Sequence, residues 1–249
     1  MPLIEELEST GHWLFRWRSY LPLATVGFVF GGVGYFSYPY GSHFLDEMWE
    51  VVCLLISLSG LIVRAVTIGY AASHTSGRNT RRQVAADLNT TGMYSLVRNP
   101  LYLGNYFMVF GVMLFFRVWW IPVIYALMFA LYYERIIFAE EMFLRYKFGA
   151  RYLDWASKTP AFLPRFSGWR SPDAAFNWRK VLRHEYHGVI AIASSMFLLE
   201  TAGDLYLGRG FEIDALWAVL LPIAYGSYFV VRFLHKRTGM FDDQQPARG

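Results

Sequence analysis

The chain has 249 residues, of which 55% are hydrophobic and 19% aromatic, and its net charge is only +4. A soluble domain of this length would need more charge than the 17% present here to cover its surface, and the mean hydropathy is positive, at +0.27. The composition therefore excludes an ordinary soluble domain, and the single cysteine, Cys53, excludes a disulfide framework or a cysteine-based metal site.

Long apolar segments recur along the chain. A bilayer core of ~30 Å requires about 20 mostly apolar residues in a helix. We therefore predict an all-α polytopic membrane protein with about six transmembrane helices, at residues 19–38, 48–70, 100–116, 118–138, 187–207 and 214–234. The first 15 residues are acidic and lack a basic region, so we expect no cleavable signal peptide.

Single residues within these segments have structural interpretations. Gly27 and Gly31, four residues apart in the first segment, predict a close helix contact. Arg64, about a turn from the end of the second segment, is expected to extend its side chain to the membrane surface. Only Arg117 separates the third segment from the fourth, so these two are expected to form a tight antiparallel hairpin.

The basic residues predict the orientation, because positive charge favours the cytoplasmic side. Most of them fall in the N-terminal arm, the 71–99 loop, the 139–186 segment and the C-terminal end, and six spans place these four regions on one face. We expect a multi-pass protein of the cytoplasmic membrane with both termini in the cytoplasm.

Two cytoplasmic stretches, residues 87–104 and 132–164, do not resemble ordinary loops. The hairpin sets the start of its first helix beside the end of its second. The step Arg98-Asn99-Pro100 is therefore expected to face the pair Glu140-Glu141, and polar groups at this depth are a functional-site hypothesis. The simpler interpretation is that the aromatic residues anchor the membrane interface and that Glu141 pairs with Arg145 on the helix surface.

The local chemistry favours a charged aromatic ligand. Pro100 suits the first turn of a helix, Asn99 before it is expected to be extended and to cap that helix, and Arg98 offers a planar fork of donors. Tyrosine rings surround the step, at Tyr94, Tyr102 and Tyr106. An acid pair, an arginine and aromatic faces suit S-adenosylmethionine, whose ammonium, carboxylate and adenine require such partners.

The same two stretches resemble the superfamily of phospholipid methyltransferases and isoprenylcysteine carboxyl methyltransferases. The resemblance lies in LNTTGMYSLVRNPLYLG, then a helical hairpin, then AEEMFLRYKFGARYLDWASKTPAFLP. It implies an integral-membrane enzyme that binds S-adenosylmethionine on the cytoplasmic side. Carried over residue by residue, it implies that the cofactor is held by Asp87, Leu88, Tyr94, Asn99, Pro100, Leu101, Tyr102 and Glu140.

The resemblance also implies the remaining roles. Arg98, Glu140 and Glu141 are the expected catalytic residues, Arg135 is the expected substrate contact, and no metal is expected. Two positions depart from the family pattern: Asn99 stands where the family has a histidine and cannot titrate, and Trp155 replaces a tyrosine. Asn99 in place of the histidine, together with the basic residues nearby, favours an anionic or lipid-headgroup acceptor over one that requires an imidazole base.

The acceptor class stays open between a headgroup amine, a phosphate and a carboxylate on a membrane-embedded lipid or lipidated molecule. The main alternative is an NADPH-dependent lipid or sterol double-bond reductase of the related membrane fold, which the Glu140-Glu141 pair disfavours. A non-catalytic scaffold or a transporter is a third class. We expect the bilayer and a lipid as partners and no nucleic acid, and the sequence leaves the oligomeric state open.

The domain organisation follows from these assignments. Residues 1–86 hold the first two helices and a loop, 87–164 the catalytic core with its hairpin, and 165–249 a basic linker and two further helices. Two other polar groups allow more than one interpretation. His184 and His187 suit the membrane interface better than a metal, and Glu200 with Asp204 is expected either to pair with Arg209 or to line a substrate route.

Overall fold

The computed structural model describes residues 2–17, 27–71, 85–211 and 213–237. Within these ranges the chain is helical and has no β-strand, which confirms the predicted all-α fold. The α-helices discussed below are α1 Leu3–Trp17, α2 His43–Tyr70, α3 Met93–Leu96, α4 Pro100–Met113, α5 Trp120–Phe148, α6 Ala150–Lys158, α7 Trp178–Tyr206 and α8 Ala215–Arg237. Short 3-10 helices lie at Val33–Tyr35, Pro39–Gly41 and Phe166–Gly168.

Four of the described helices, α2, α5, α7 and α8, are long and apolar enough to cross a membrane. Helix α4 is also apolar but has only 14 residues. Each of the predicted segments from the second to the sixth coincides with one of these five helices. The chain is therefore built as an integral membrane protein.

The first predicted segment, 19–38, differs from the prediction. Its residues 19–26 lie outside the described residues, and the remainder is helical only over 27–30 before a turn and the 3-10 helix Val33–Tyr35. Glycines at 31, 32 and 34 explain the interruption, since glycine weakens a helix interior. The predicted contact at Gly27 and Gly31 is also wrong for the described part, where a Cβ on Gly27 would meet open space.

Helix α1 was not predicted. It packs along α5, buries Phe15 in the core, and accepts a hydrogen bond from the Tyr132 hydroxyl at the carbonyl of Leu14, at 3.1 Å. A Cβ on Gly11 would overlap the backbone of Arg135, so the two helices are in close contact there. Helix α1 has only 15 residues and begins with acidic ones, so its sequence is too short and too polar to predict a membrane span.

The most extensive helix packing in the described bundle joins α2 to α4. A Cβ on Gly60 would lie 2.5 Å from the amide nitrogen of Met108, and a Cβ on Gly104 would lie 2.7 Å from the carbonyl oxygen of Gly60. The Ser57 hydroxyl, one turn before Gly60, donates to the Met108 carbonyl at 2.8 Å. These contacts fix where α4 begins, and therefore where the residues before it lie.

Arg64 does not extend to the membrane surface, so that prediction is wrong. Its guanidinium donates to both carboxylate oxygens of Glu185 on α7, at 2.9 and 2.6 Å, and to Asn105 on α4 at 2.6 Å. The Arg64 side chain is 19% exposed. Two neighbouring helices supply these acceptors, which a partly buried charge requires as hydrogen-bonded partners.

The predicted hairpin of α4 and α5 is present. Its turn, residues 114–119, contains Arg117 in the left-handed backbone region, with a φ of 57°. The Arg117 guanidinium donates to the Asp46 carboxylate and to the Ser37 carbonyl, and the indole of Trp49 donates to the Leu114 carbonyl at 3.0 Å. These bonds tie the turn to the start of α2.

Candidate active site

The backbone around the Arg98-Asn99-Pro100 step is anchored to the segment that follows α6. The Arg98 amide donates to the Pro160 carbonyl at 2.8 Å, and the Arg165 amide donates to the Leu96 carbonyl at 3.0 Å. Gly92, before α3, has a φ of +60°, which an L side chain rarely adopts, and its amide donates to the Arg170 carbonyl. The corner is therefore held from both sides.

Asn99 begins α4 in a different way from the prediction. Its backbone carbonyl accepts the first helical hydrogen bond, from the Leu103 amide at 3.1 Å, but its side chain makes no capping bond. The side-chain Nδ2 donates instead to the Ala161 carbonyl at 3.0 Å and to Glu141 Oε1 at 3.4 Å. The predicted side-chain cap is wrong because the amide finds acceptors across the hairpin.

Glu141 lies opposite the step, as predicted from the hairpin. Its Oε1 lies 3.2 Å from Nε of Arg98, and both side chains are about one-fifth exposed. Nε has no acceptor in hydrogen-bonding alignment, so this pair is a charge contact. Glu141 thus pairs across the hairpin with Arg98, and the alternative ion pair with Arg145 does not form. Arg98, Asn99 and Glu141 therefore meet at one point.

An aromatic wall lies beside this charged group. Leu88, Tyr152 and Trp155 form a buried cluster, and the Trp155 indole donates to the Tyr94 carbonyl at 3.1 Å. Burial raises the pKa of Tyr152, and the charge of Glu141 raises it further. Burial likewise raises the pKa of Tyr94, followed by the charge of Glu140. Both phenols therefore stay protonated near neutral pH, as hydrogen-bond donors.

Helices α5 and α6 position these side chains. Helix α5 continues through Glu140 and Glu141 to Phe148, and Gly149 then ends it with a φ of +53°. Because α6 starts directly afterwards, the chain turns back and places Tyr152 over Glu141. The close succession of the two helices thus closes one side of the site.

The other residues predicted to bind the cofactor lie on two sides of this corner. Pro100 and Tyr102 are buried, Leu101 is partly buried, and the Tyr102 ring lies 4.7 Å from that of Tyr133. Asp87 is exposed at the rim and pairs with Arg151 at 2.7 Å. The backbone N–H of Leu88 and then the Arg151 guanidinium lower the pKa of Asp87, so this carboxylate is ionised.

Arg135, the predicted substrate contact, is not joined to the Arg98–Glu141 pair by any described contact. Its guanidinium donates to the Thr10 hydroxyl of α1 at 3.3 Å. Since a helix advances 100° per residue, Arg135 and Glu141 project from different sides of α5. Its role therefore stays a prediction, and α1 is the element it contacts.

A basic cleft of about 490 Å³ opens next to the aromatic wall, and the sequence did not predict it. Residues 165–170, which contribute to its lining, lie outside the two stretches 87–104 and 132–164. The backbone bonds between 160–165 and 96–98 bring them to the cleft. The cleft is lined by Thr90, Ser95, Arg151, Asp154, Trp155, Lys158, Thr159, Arg165, Ser167, Gly168, Trp169 and Arg170.

His184 and His187 have no metal-binding arrangement in the described part of the chain. The groups of three or more potential ligands found there include neither histidine. The His187 ring instead lies 3.7 Å from that of Tyr186 and 5.6 Å from that of Tyr228. The interpretation of this pair as part of an aromatic interface is the one that the contacts favour.

Asn99→Asp tests the arrangement at the corner. The substitution keeps the shape of the side chain but sets a second carboxylate against Glu141 and against the Ala161 carbonyl. We expect a loss of about 1–2 kcal/mol in the free energy of unfolding and a weaker ligand affinity, because a hydrogen bond is replaced by repulsion. Thermal unfolding of the purified variant in detergent measures the first effect. Unchanged stability would show that Asn99 does not make these contacts.

Comparisons with known proteins identify the family and the range of the chain that it covers. A family model described as phospholipid methyltransferase matches residues 49–151, a range that includes the corner, the hairpin and the glutamate pair. The chain is 35% identical over 128 residues to the nickel-cobalt-cadmium resistance protein NccN of Alcaligenes xylosoxydans xylosoxydans, which covers 51% of this chain and 57% of that protein.

A second relative aligns over a longer range. The chain is 32% identical over 163 residues to the cobalt-zinc-cadmium resistance protein CzcN of Cupriavidus metallidurans, which covers 65% of this chain and 68% of that protein. The alignments thus span somewhat more than half to two-thirds of the two relatives. No solved structure matches the chain.

Proposed function

The chain belongs to the phospholipid methyltransferase family, and on this premise we propose that it transfers the methyl group of S-adenosylmethionine to a membrane-embedded lipid or lipidated acceptor. The single observation that carries the proposal is the meeting of Arg98, Asn99 and Glu141 across the hairpin, beside an aromatic wall. The family match gives no support to the reductase alternative.

The residues at the corner suit the polar end of S-adenosylmethionine. Arg98 has a guanidinium that matches a carboxylate, and Glu140 and Glu141 supply negative charge for an ammonium. The protonated hydroxyls of Tyr94 and Tyr152 are available as donors. We propose that the cofactor is held here, with contacts from Asp87, Leu88, Tyr94, Asn99, Pro100, Leu101, Tyr102 and Glu140.

When bound, S-adenosylmethionine would supply an activated methyl group on its sulfonium; the acceptor would bond to the methyl carbon in line with the breaking C–S bond, and S-adenosylhomocysteine would leave. For this chemistry the protein mainly has to align the two reactants and exclude water. The backbone bonds from 96–98 to 160–165 hold Arg98 and Asn99 in place, and the hairpin holds Glu141 against them. No residue at this corner has an imidazole, so proton removal from an acceptor would rest on the glutamates.

The basic cleft supports an anionic headgroup as the acceptor class. Of its charged lining residues, Asp154 pairs with Lys158 at 2.7 Å, and Arg151 pairs with Asp87 outside the cleft. Arg165 and Arg170 add positive charge next to Leu96 and Gly92, through the backbone bonds described above. We propose that this cleft attracts a phosphate or carboxylate headgroup from the cytoplasmic leaflet, with both termini of the chain on that same side.

The experiment supplies methyl-labelled S-adenosylmethionine to membranes from a host that expresses the chain and from the same host without it. Lipids, proteins and small molecules are then extracted separately. We expect an additional labelled species in the lipid fraction of the expressing membranes. The absence of additional label from every fraction would contradict the proposed activity.

The pH profile of the rate distinguishes the acceptor classes. A carboxylate or phosphodiester acceptor keeps its charge and needs no base, so for either we expect a flat initial rate between about pH 6 and 8, with no inflection from an imidazole, whose pKa is ~6.5. An amine acceptor must lose a proton and would give a rate that rises with pH. The initial rate of lipid labelling at constant ionic strength makes this measurement.

A further inference from the structure

A second polar cluster lies at the other end of the hairpin. Asp46 and Glu50 on α2 and Glu200 on α7 are each only 2% exposed, and one carboxylate oxygen from each lies within 4.8 Å of the others. Arg117, in the turn between α4 and α5, contacts Asp46. The cluster is therefore separated by the length of the hairpin from the corner that holds Arg98 and Glu141.

The carboxylates of this cluster are incompletely partnered. No N–H group and no hydroxyl donates to the carboxyl oxygens of Glu50 or Glu200, which contact each other, although both side chains are almost fully buried. Arg117 pairs with one oxygen of Asp46. Burying carboxylates without a positive partner is costly, so three buried acids that bring one oxygen each within 4.8 Å of the others suit a ligand that carries positive charge.

The neighbouring residues do not provide that charge. Asp204, one turn after Glu200, accepts a hydrogen bond from the Tyr38 hydroxyl at 2.5 Å, and the Arg209 guanidinium lies over the Tyr38 ring at 4.8 Å. The expected pairing of Glu200 with Arg209 is therefore replaced by a contact of Glu200 with the other acids. When all three carboxylates are ionised, Arg117 compensates one of their negative charges and two remain.

We propose that Asp46, Glu50 and Glu200 bind one divalent cation. An all-carboxylate oxygen donor set suits hard cations, namely Mg²⁺, Ca²⁺ and Mn²⁺. The charge of the cation matches the two uncompensated negative charges and connects α2 to α7. Since the site is remote from the Arg98–Glu141 corner, its role is to hold the bundle together, and it does not depend on the proposed methyl transfer.

A second, more exposed acidic group offers a route to the buried one. His43 lies at the start of α2, with Nε2 at 3.2 Å from Asp214 and Nδ1 at 3.6 Å from Glu47. These side chains are 16–39% exposed, and on α2 His43 lies one turn before Asp46 and Glu47 one turn before Glu50. A cation that enters from this end of the bundle meets them first.

The test uses Mn²⁺ alone as the probe. Full-length protein in detergent is treated with a chelator and desalted, and then titrated with Mn²⁺ while the free ion is measured by electron paramagnetic resonance. We expect one saturable site, displaced by Mg²⁺ or Ca²⁺. In Glu50→Gln and in Glu200→Gln, which keep the shape and remove the charge, the affinity should fall by at least about tenfold.

Glu134→Gln is the matched control, because it makes the same substitution at an exposed position of α5, outside both acidic groups, and leaves the buried carboxylates intact. It should retain the site. If the glutamine variants fail to fold, the unfolding temperature of the wild-type protein provides the test. Mn²⁺ should raise that temperature relative to the chelated protein. No saturable binding and no stabilisation of the wild-type protein would show that the buried acids share protons instead. Equal binding by wild type and both glutamine variants would place the ion elsewhere.

Discussion

Methyl transfer is expected to fall below detection when Glu140 and Glu141 are both replaced by glutamine. The double substitution removes the negative charge that faces Arg98, and it leaves that guanidinium without its 3.2 Å partner. Glu141→Gln alone should reduce the rate by about 100-fold, because a displacement of the corner by a fraction of an ångström misaligns the reacting groups. The labelled-lipid assay described above measures both variants.

Glu134→Gln provides the control for these variants. Glu134 lies on α5, the helix that carries Glu140 and Glu141, but its side chain is exposed to the surroundings of the bundle. This variant should transfer methyl groups at the wild-type rate. The site assignment is wrong if the double glutamine variant keeps the wild-type rate while it folds normally.

Gly60→Ala is expected to destabilise the protein more than any substitution on its surface. The added methyl group would lie 2.5 Å from the Met108 amide, and the overlap is with backbone atoms that cannot move aside by a change of rotamer. Overpacking of this kind costs about 1–3 kcal/mol or more. For a chain of this size that corresponds to a fall of several degrees in the unfolding temperature, at roughly 2–4 °C per kcal/mol.

The same substitution should also lower methyl transfer. Separating α2 from α4 shifts the start of α4, and Arg98 and Asn99 immediately precede that start. Gly226→Ala is the matched control: it lies within α8, where a Cβ meets open space, and alanine favours a helix over glycine. A Gly60→Ala protein as stable as Gly226→Ala would contradict the close packing of α2 against α4.

The sequence was sufficient to predict how the site is assembled. A turn built around Arg117 makes the two apolar segments antiparallel, so the first residues of one helix must meet the last residues of the other. That reasoning uses only chain order and helix length, and the contact of Arg98 with Glu141 agrees with it. The end of α5 at Gly149 was also predictable, because glycine readily adopts the positive φ at which many helices end.

Contacts between elements distant in the sequence were not predictable in this way. Glycines form close helix contacts only where another backbone approaches, and the structure places those contacts at Gly60 and Gly104 instead of Gly27. Arg64 pairs with Glu185, 121 residues away, a partner that no local pattern indicates. The side chain of Asn99 donates to an acceptor across the hairpin instead of capping its own helix, and the local sequence does not indicate this acceptor either.

The acidic cluster and α1 illustrate the same limit. Glu50 and Glu200 are 150 residues apart, and only the packing of α2 against α7 brings their carboxylates together. The apolar face of helix α1 packs against α5, and the role of that face can be identified only when both helices are in place. Residues of this kind are recognised after the helices have been assembled, because the environment that alters their chemistry comes from other elements.

The most direct test of the site is the equilibrium binding of radiolabelled S-adenosylmethionine to the purified protein. We predict saturable binding to the wild-type chain and to Glu134→Gln, displacement by unlabelled S-adenosylhomocysteine, and loss of binding in the variant that carries both Glu140→Gln and Glu141→Gln. The absence of saturable binding to the wild type, or binding of equal affinity by the double variant, would contradict the assignment of the cofactor to this corner.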